Sequence, residues 1–225
     1  MQLEEKSIVR MSRALLVVVA AMSAFAAARP SSAAQQDDES AQNLERYLAE
    51  LTSLQAEFHQ VSTVAGGDAA EEASGRLYLQ KPGRFRWDYR EPNAQLIVSD
   101  GVNLWFYDQG LEQVTVKSID ESLATTPALL LAGRASVAES FTITAAGLQA
   151  GLDWVRLVPK RADTDFLEFR LGFARGELRM MELKDKLQQT TRIEFSEVKR
   201  NTRLARSLFE FSPPAGVDVI GTPRR

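Results

Sequence analysis

The chain has 225 residues, of which 44% are hydrophobic and 25% charged. That length allows one large domain or two small ones, and the composition excludes disorder as the main state. A formal charge of −3 argues against a nucleic-acid binder, and the chain has no cysteine and a single histidine, His59. Those counts exclude disulfides, thiolate metal centres, Cys nucleophiles and any site built from several His ligands.

Lys6, Arg10 and Arg13 precede an apolar run over 14–28. At about 15 residues it falls short of the roughly 20 that span a membrane. A basic flank, an apolar stretch and then small residues read as a secretory leader. Ser32-Ala33-Ala34 offers a small-x-small cleavage site before Gln35, Ala26-Ala27-Ala28 a second one, and Met11 an alternative start. The expected organisation is a leader over 1–34 and a single domain over 35–225. A domain of that size can bury its own core without disulfides.

After a polar lead-in over 35–40, Leu44, Leu48 and Leu51, with Tyr47 between them, form one helical stripe that ends near Thr52-Ser53. The period then changes to two: Leu54, Ala56 and Phe58 alternate with Gln55, Glu57 and His59, which predicts a strand. Residues 63–74 are rich in Ala, Gly and acids and read as a loop. Leu77 and Leu79 alternate with polar residues up to the turn Lys81-Pro82-Gly83. Phe85, Trp87 and Tyr89 then alternate with Arg84, Arg86 and Asp88. Asp100-Gly101 between two apolar runs predicts a hairpin, and 113–116 continues the meander. Thr126-Pro127 opens a short apolar helix ended by Gly133. Strand candidates follow at 141–144, 154–159, 167–173, 177–183, 190–198 and 207–211. No βαβ alternation occurs. The fold class expected is mainly β: one strongly curved, unclosed antiparallel sheet of about eleven strands. Its concave face collects Leu77, Leu79, Phe85, Trp87 and Tyr89, and two short apolar helices cover it.

The residues carry no reaction centre. A Ser-His-Asp triad would need His59, which falls on the outer face of its strand, and no Gly-x-Ser-x-Gly elbow occurs. Asp37-Asp38 and Glu71-Glu72 lie in polar stretches and read as solvated charge. Gly66-Gly67 lacks the Lys-Ser/Thr of a phosphate loop. Arg84-Phe85-Arg86-Trp87 interleaves basic and aromatic residues as a nucleic-acid stacking platform does, but a half-buried strand with a charged outer face gives the same pattern. The expectation is a non-enzyme with no cofactor and no metal, presenting a concave apolar surface to a greasy ligand.

Four segments carry a resemblance. They are Leu79-Gln80-Lys81-Pro82-Gly83-Arg84-Phe85-Arg86-Trp87, then Leu96-Ile97-Val98-Ser99-Asp100-Gly101 with Leu104-Trp105-Phe106-Tyr107-Asp108, then Thr126-Pro127-Ala128-Leu129-Leu130-Leu131, and last Phe209-Glu210-Phe211-Ser212-Pro213-Pro214-Ala215-Gly216-Val217. In this order they resemble the periplasmic outer-membrane lipoprotein carriers, the LolA family, over nearly the whole chain beyond the leader. The resemblance implies an unclosed eleven-stranded barrel with a helical lid over an apolar cavity. It implies a monomer in the periplasm that takes the acyl chains of lipoproteins from an inner-membrane ABC transporter and delivers them to an outer-membrane receptor lipoprotein. The lid residues would be Pro127, Leu129, Leu130 and Leu131. The family's Arg before the Pro, which ties the lid shut through backbone hydrogen bonds, is Lys81 here. Lys lacks the planar fork of Arg, so the latch is looser or shared with Arg84 or Arg86. The short tail after Phe211 leaves no clear counterpart to the family's extra C-terminal element. A carrier of outer-membrane lipids or glycolipids, or a lipoprotein-sensing module, would use the same fold.

Overall fold

The computed structural model describes residues 32–64, 70–119, 127–133, 136–162 and 164–224. Most of the expected leader lies outside the described residues. Only Ser32 to Ala34 are seen, at the start of α1 (Ser32–Glu50). The polar lead-in expected over 35–40 is therefore helical. Its Asp37 carboxylate accepts a hydrogen bond from the Ala145 main-chain N–H at 2.7 Å, so these polar residues serve an edge strand instead of fraying.

Six strands form a first meander: β1 (Ser53–Val64), β2 (Ala70–Gln80), β3 (Arg84–Glu91), β4 (Gln95–Asp100), β5 (Asn103–Asp108) and β6 (Gln113–Ser118). Helices α2 (Pro127–Ala132) and α3 (Val137–Ser140) follow. A second meander runs through β7 (Phe141–Gln149), β8 (Leu152–Pro159), β9 (Phe166–Ala174), β10 (Glu177–Asp185) and β11 (Gln189–Arg200). The chain ends in a 3-10 turn over Arg206–Phe209 and β12 (Asp218–Ile220). All twelve strands lie in one sheet, ordered β12-β6-β5-β4-β3-β2-β1-β11-β10-β9-β8-β7. Among the described residues the two meanders pair only through β1 and β11, and β7 and β12 stand at the two ends of the strand order, so the sheet is unclosed.

Three expectations need correction. Much of 63–74 is strand: Thr63 pairs with Ala70 and Ser62 with Glu71, held by main-chain ladders that no apolar alternation announces. The region 207–211 is not a strand. Phe209 is buried against β3 and β4 from the 3-10 turn, and Phe211 lies 5.6 Å from Trp105 and 5.8 Å from Tyr107, ring to ring. Two aromatics two apart gave a strand signal for what are two separate anchors. The last strand is β12 instead, the one parallel partner in the sheet, paired with β6 through Val219 and Val114. With Phe211 and Val217 this tail covers Trp105, Val114 and Val116, a second small core beside the main one.

The main core lies between the concave face and the helices. Leu44, Tyr47, Leu48 and Leu51 of α1 join Leu54, Ala56 and Phe58 of β1 and the inward residues of both meanders. The opposite face carries the charges. There Glu182 accepts from Arg170 at 2.9 Å and from Arg192 at 2.9 Å, and the Arg170 guanidinium lies 4.6 Å over Trp154, in a shallow groove of about 660 Å³.

Candidate functional site

Strand period two decides which side chains point to the concave face. In β2, Leu77 and Leu79 point inward and are fully buried, while Arg76 and Tyr78 are half-buried on the outer side. In β3, Phe85 and Trp87 are buried and Tyr89 is partly buried, with Arg84, Arg86 and Asp88 on the alternate face. Leu77 pairs directly with Trp87, and Leu79 with Phe85, so the five expected wall residues form one continuous patch. Helix α2 lies against β2 and β3. Leu131 and Ala132 are fully buried there and Leu130 partly so. Pro127 and Leu129 belong to α2, but their side chains lie outside the described residues.

The turn between β2 and β3 ties this patch to its cover at two points and is itself braced from β4. Lys81 Nζ donates to the Leu48 carbonyl of α1 at 2.6 Å. Leu48 is within the last turn of α1, where carbonyls lack helical partners and a cation is favoured. Gly83 N–H donates to the Ala132 carbonyl of α2 at 2.8 Å, and the buried Ser99 hydroxyl donates to the Gly83 carbonyl at 2.7 Å. The Lys81 ammonium thus reaches α1 rather than the neighbourhood of α2, where sequence reasoning put it; the bond to α2 comes from the main chain of the same turn. Burial holds the Lys81 pKa below its ordinary value, against an opposing pull from Glu45.

Above the dry patch the wall turns aromatic. Phe58 meets Trp87 and Tyr89 edge to face, at 5.3 and 5.0 Å between ring centroids, and Trp87 stacks on Tyr89 at 6.3 Å. Gly75 makes room for this group. A Cβ there would strike the Asp88 carbonyl and come within 2.9 Å of the Phe58 ring. Gly75→Ala is accordingly expected to cost about 1–3 kcal/mol, the usual penalty of overpacking, and to alter the near-UV signal of Trp87; a wild-type urea midpoint and spectrum would contradict the packing.

Beyond Tyr89 the inner face becomes polar. Tyr89 OH donates to Gln60 Oε1 at 3.0 Å, Gln60 Nε2 donates to Ser62 Oγ at 3.3 Å, and Ser62 Oγ lies 3.2 Å from Thr191 Oγ1. Sequence reasoning missed Gln60, Ser62 and Thr191. The signal was present, because the period that turns Phe58 inward also turns Gln60 and Ser62 inward. Desolvation pushes the Tyr89 pKa up to about 12. The unfolded phenol ionises near 10.0, so folding stability tied to Tyr89 is intact below that pH and is lost as pH rises toward 12. In the Tyr89→Phe variant the fall in stability over this window should be smaller, and the high-pH part of the phenolate absorbance titration should weaken.

His59 is exposed on the outer face, 3.3 Å from Glu72. Asp37 and Asp38 lie on α1, and Glu71 and Glu72 on β2. No helix among the described residues is long and apolar enough to cross a membrane.

Residues 49–212 match the family model of the outer membrane lipoprotein carrier protein LolA. An outer-membrane lipoprotein carrier protein of Methylococcus capsulatus is 44% identical over 177 residues, which cover 79% of this chain and 85% of that protein. One from Methylobacillus flagellatus is 40% identical over 183 residues, covering 81% and 89%. Among solved structures, an uncharacterized conserved protein of Thermus thermophilus shares the fold at a TM-score of 0.52 and 14% identity, over 81% of this chain and 97% of that one. With a matching family model across most of its length and carriers of this kind at 40% identity and above, the chain belongs to the LolA family of outer membrane lipoprotein carrier proteins.

Proposed function

We propose that the protein is a periplasmic carrier that shelters the acyl chains of lipoproteins between its concave sheet face and helices α1 and α2. One observation carries the reading: Leu77, Leu79, Phe85 and Leu131 form a wholly apolar, fully buried contact between the sheet and a six-residue helix. Such a helix is too short to be stable alone, and one main-chain bond, from Gly83 to Ala132, ties it to the wall turn. A cover of that kind can part from the wall and let hydrocarbon take its place.

The energetics require shelter. Three acyl chains hold on the order of 45 methylenes, each worth about 0.8 kcal/mol when buried, so exposing them costs roughly 35 kcal/mol. A lid that closes on its own wall when empty competes with cargo and lowers net affinity, which makes release possible without an energy source in the carrier. The proposed route runs from an inner-membrane transporter of the ABC class to an outer-membrane receptor lipoprotein with a freer cavity. Lys81, Pro127, Leu129, Leu130 and Leu131 act as latch and lid in this reading, and the wall residues Leu77, Leu79, Phe85, Trp87 and Tyr89 contact the chains. Residues 1–34 act as a removable leader, so N-terminal sequencing of periplasmic protein should start at Gln35; an intact N-terminus in the inner membrane would refute this.

Native mass spectrometry of protein purified from the periplasm tests the function. Co-purified lipoprotein is the expected result. Free phospholipid or glycolipid in its place would make the protein a lipid carrier, and an empty protein that fails to solubilise added lipoprotein would remove the carrier reading.

A further inference from the structure

Trp87 carries a polar atom for which the apolar wall supplies no partner. The side chain is only 3% exposed, and among the described residues its indole Nε1 has no hydrogen-bond acceptor. Buried N–H groups left in this state are costly and rare in folded proteins. The immediate neighbours offer no oxygen or nitrogen acceptor: Leu77 lies opposite, the Phe58 ring meets the indole at a steep angle, and Tyr89 is stacked on it. In the polar row, Gln60 Oε1 receives the Tyr89 hydroxyl.

The position of Trp87 along the wall is the second observation. Below it on β2 and β3 the inner face is hydrocarbon: Leu77, Leu79 and Phe85. Above it the inner face is the hydrogen-bonded row of Tyr89, Gln60, Ser62 and Thr191. Trp87 marks the level at which the inner face passes from apolar to polar. An acylated cargo has the same layout, since each hydrocarbon tail ends in an ester or amide carbonyl, followed by polar glyceryl and peptide groups.

We propose that Trp87 Nε1 donates a hydrogen bond to an acyl carbonyl of the bound cargo, so that this wall distinguishes carbonyl-linked chains from hydrocarbon of equal length. The proposal rests on the carrier reading and adds a specificity-determining group to it. Hydrocarbon or an ether-linked chain would leave the donor orphaned, whereas an ester or amide relieves it. Discrimination then comes from the penalty against the wrong ligand as much as from the bond to the right one.

The test pairs two lipopeptides of identical peptide and chain length, one with ester-linked palmitoyl chains and the other with ether-linked hexadecyl chains. Wild-type protein should bind the ester twin about three- to tenfold more tightly, the range expected of one neutral hydrogen bond. Trp87→Phe keeps an aromatic wall without the N–H, and should bind both twins alike. Equal binding of the twins by wild type overturns the assignment while leaving the carrier reading standing. A preference that survives in Trp87→Phe also overturns it, because the donor then lies elsewhere. Failure of both twins to bind wild type would strike the carrier reading itself and the assignment with it. Should Trp87→Phe not fold, a benzothiophene analogue of Trp87 keeps the bicyclic shape, removes the N–H and supplies the same comparison.

Discussion

Phe85→Ala is expected to lower folding stability by about 3–5 kcal/mol, the range for emptying a buried phenylalanine site. Phe85 is fully buried, paired with Leu79 on one side and Ser99 on the other. Against a total of roughly 5–15 kcal/mol for an ordinary domain, that loss should bring the urea midpoint down by a large fraction. Arg86→Ala, one position along, removes only a half-buried partner 3.6 Å from Asp88 and should cost no more than about 1 kcal/mol. Since a one-residue slip would exchange the faces of β3, comparable losses in the two variants would mean that the wall has been assigned to the wrong side. Phe85→Glu places a carboxylate against Leu79 inside the apolar core, so it should fail to fold or should fold without binding an apolar ligand.

Lys81→Leu should raise binding of a fluorescent apolar probe. A hydrogen bond from a charged donor is worth about 1.5–3 kcal/mol net, and its loss shifts a two-state cover by roughly ten- to a hundredfold. The bond broken is the one to Leu48, so loosening should begin at the carboxyl end of α1 and spread to α2 through the shared turn. Lys81→Arg retains a donor for that carbonyl and should bind the probe less than wild type. The same probe signal from all three proteins would refute the latch, and Arg84 and Arg86 would be next. A pH scan adds an independent sign. Burial lowers the Lys81 pKa from 10.5, so the folded state binds fewer protons than the unfolded one between the lowered value and 10.5. This contribution makes stability rise with pH across that window, and Lys81→Leu should lack it.

The concave wall was legible because β2 and β3 alternate cleanly. Leu77, Leu79, Phe85 and Trp87 repeat every second residue, and the turn Lys81-Pro82-Gly83 separates the two strands. The short apolar helix was legible for the opposite reason: a run of three leucines between Thr126-Pro127 and Gly133 has no polar side to show water. What escaped was structure held by main chain. The extension of the β1–β2 hairpin through Thr63 and Ala70 carries little apolar side-chain signal, and β12 is three exposed residues pinned by ladder bonds to β6. Gln60, Ser62 and Thr191 escaped because a polar side chain on an inner face looks, in sequence, like one on an outer face until its partners are known. The target of Lys81 escaped because Leu48 is 33 residues away and offers a carbonyl, which every residue possesses.

The single seam between the two meanders has a kinetic consequence. Within β2–β6 and within β7–β11, each strand pairs with its neighbour in the chain, so loop closure is short and fast. At the seam, by contrast, Ser62 meets Thr191 across 129 residues. Contacts of such sequence separation slow folding, because the entropy of closing the long loop is lost before the contact is gained. The N-terminal meander must wait, with the inward edge of β1 unpaired, until the last fifth of the domain arrives. During that wait the core around Leu77, Leu79, Phe85 and Trp87 lacks Leu178, Met181, Ile193 and Phe195 from the late strands, and the surface suited to carry acyl chains is then the surface most prone to aggregate.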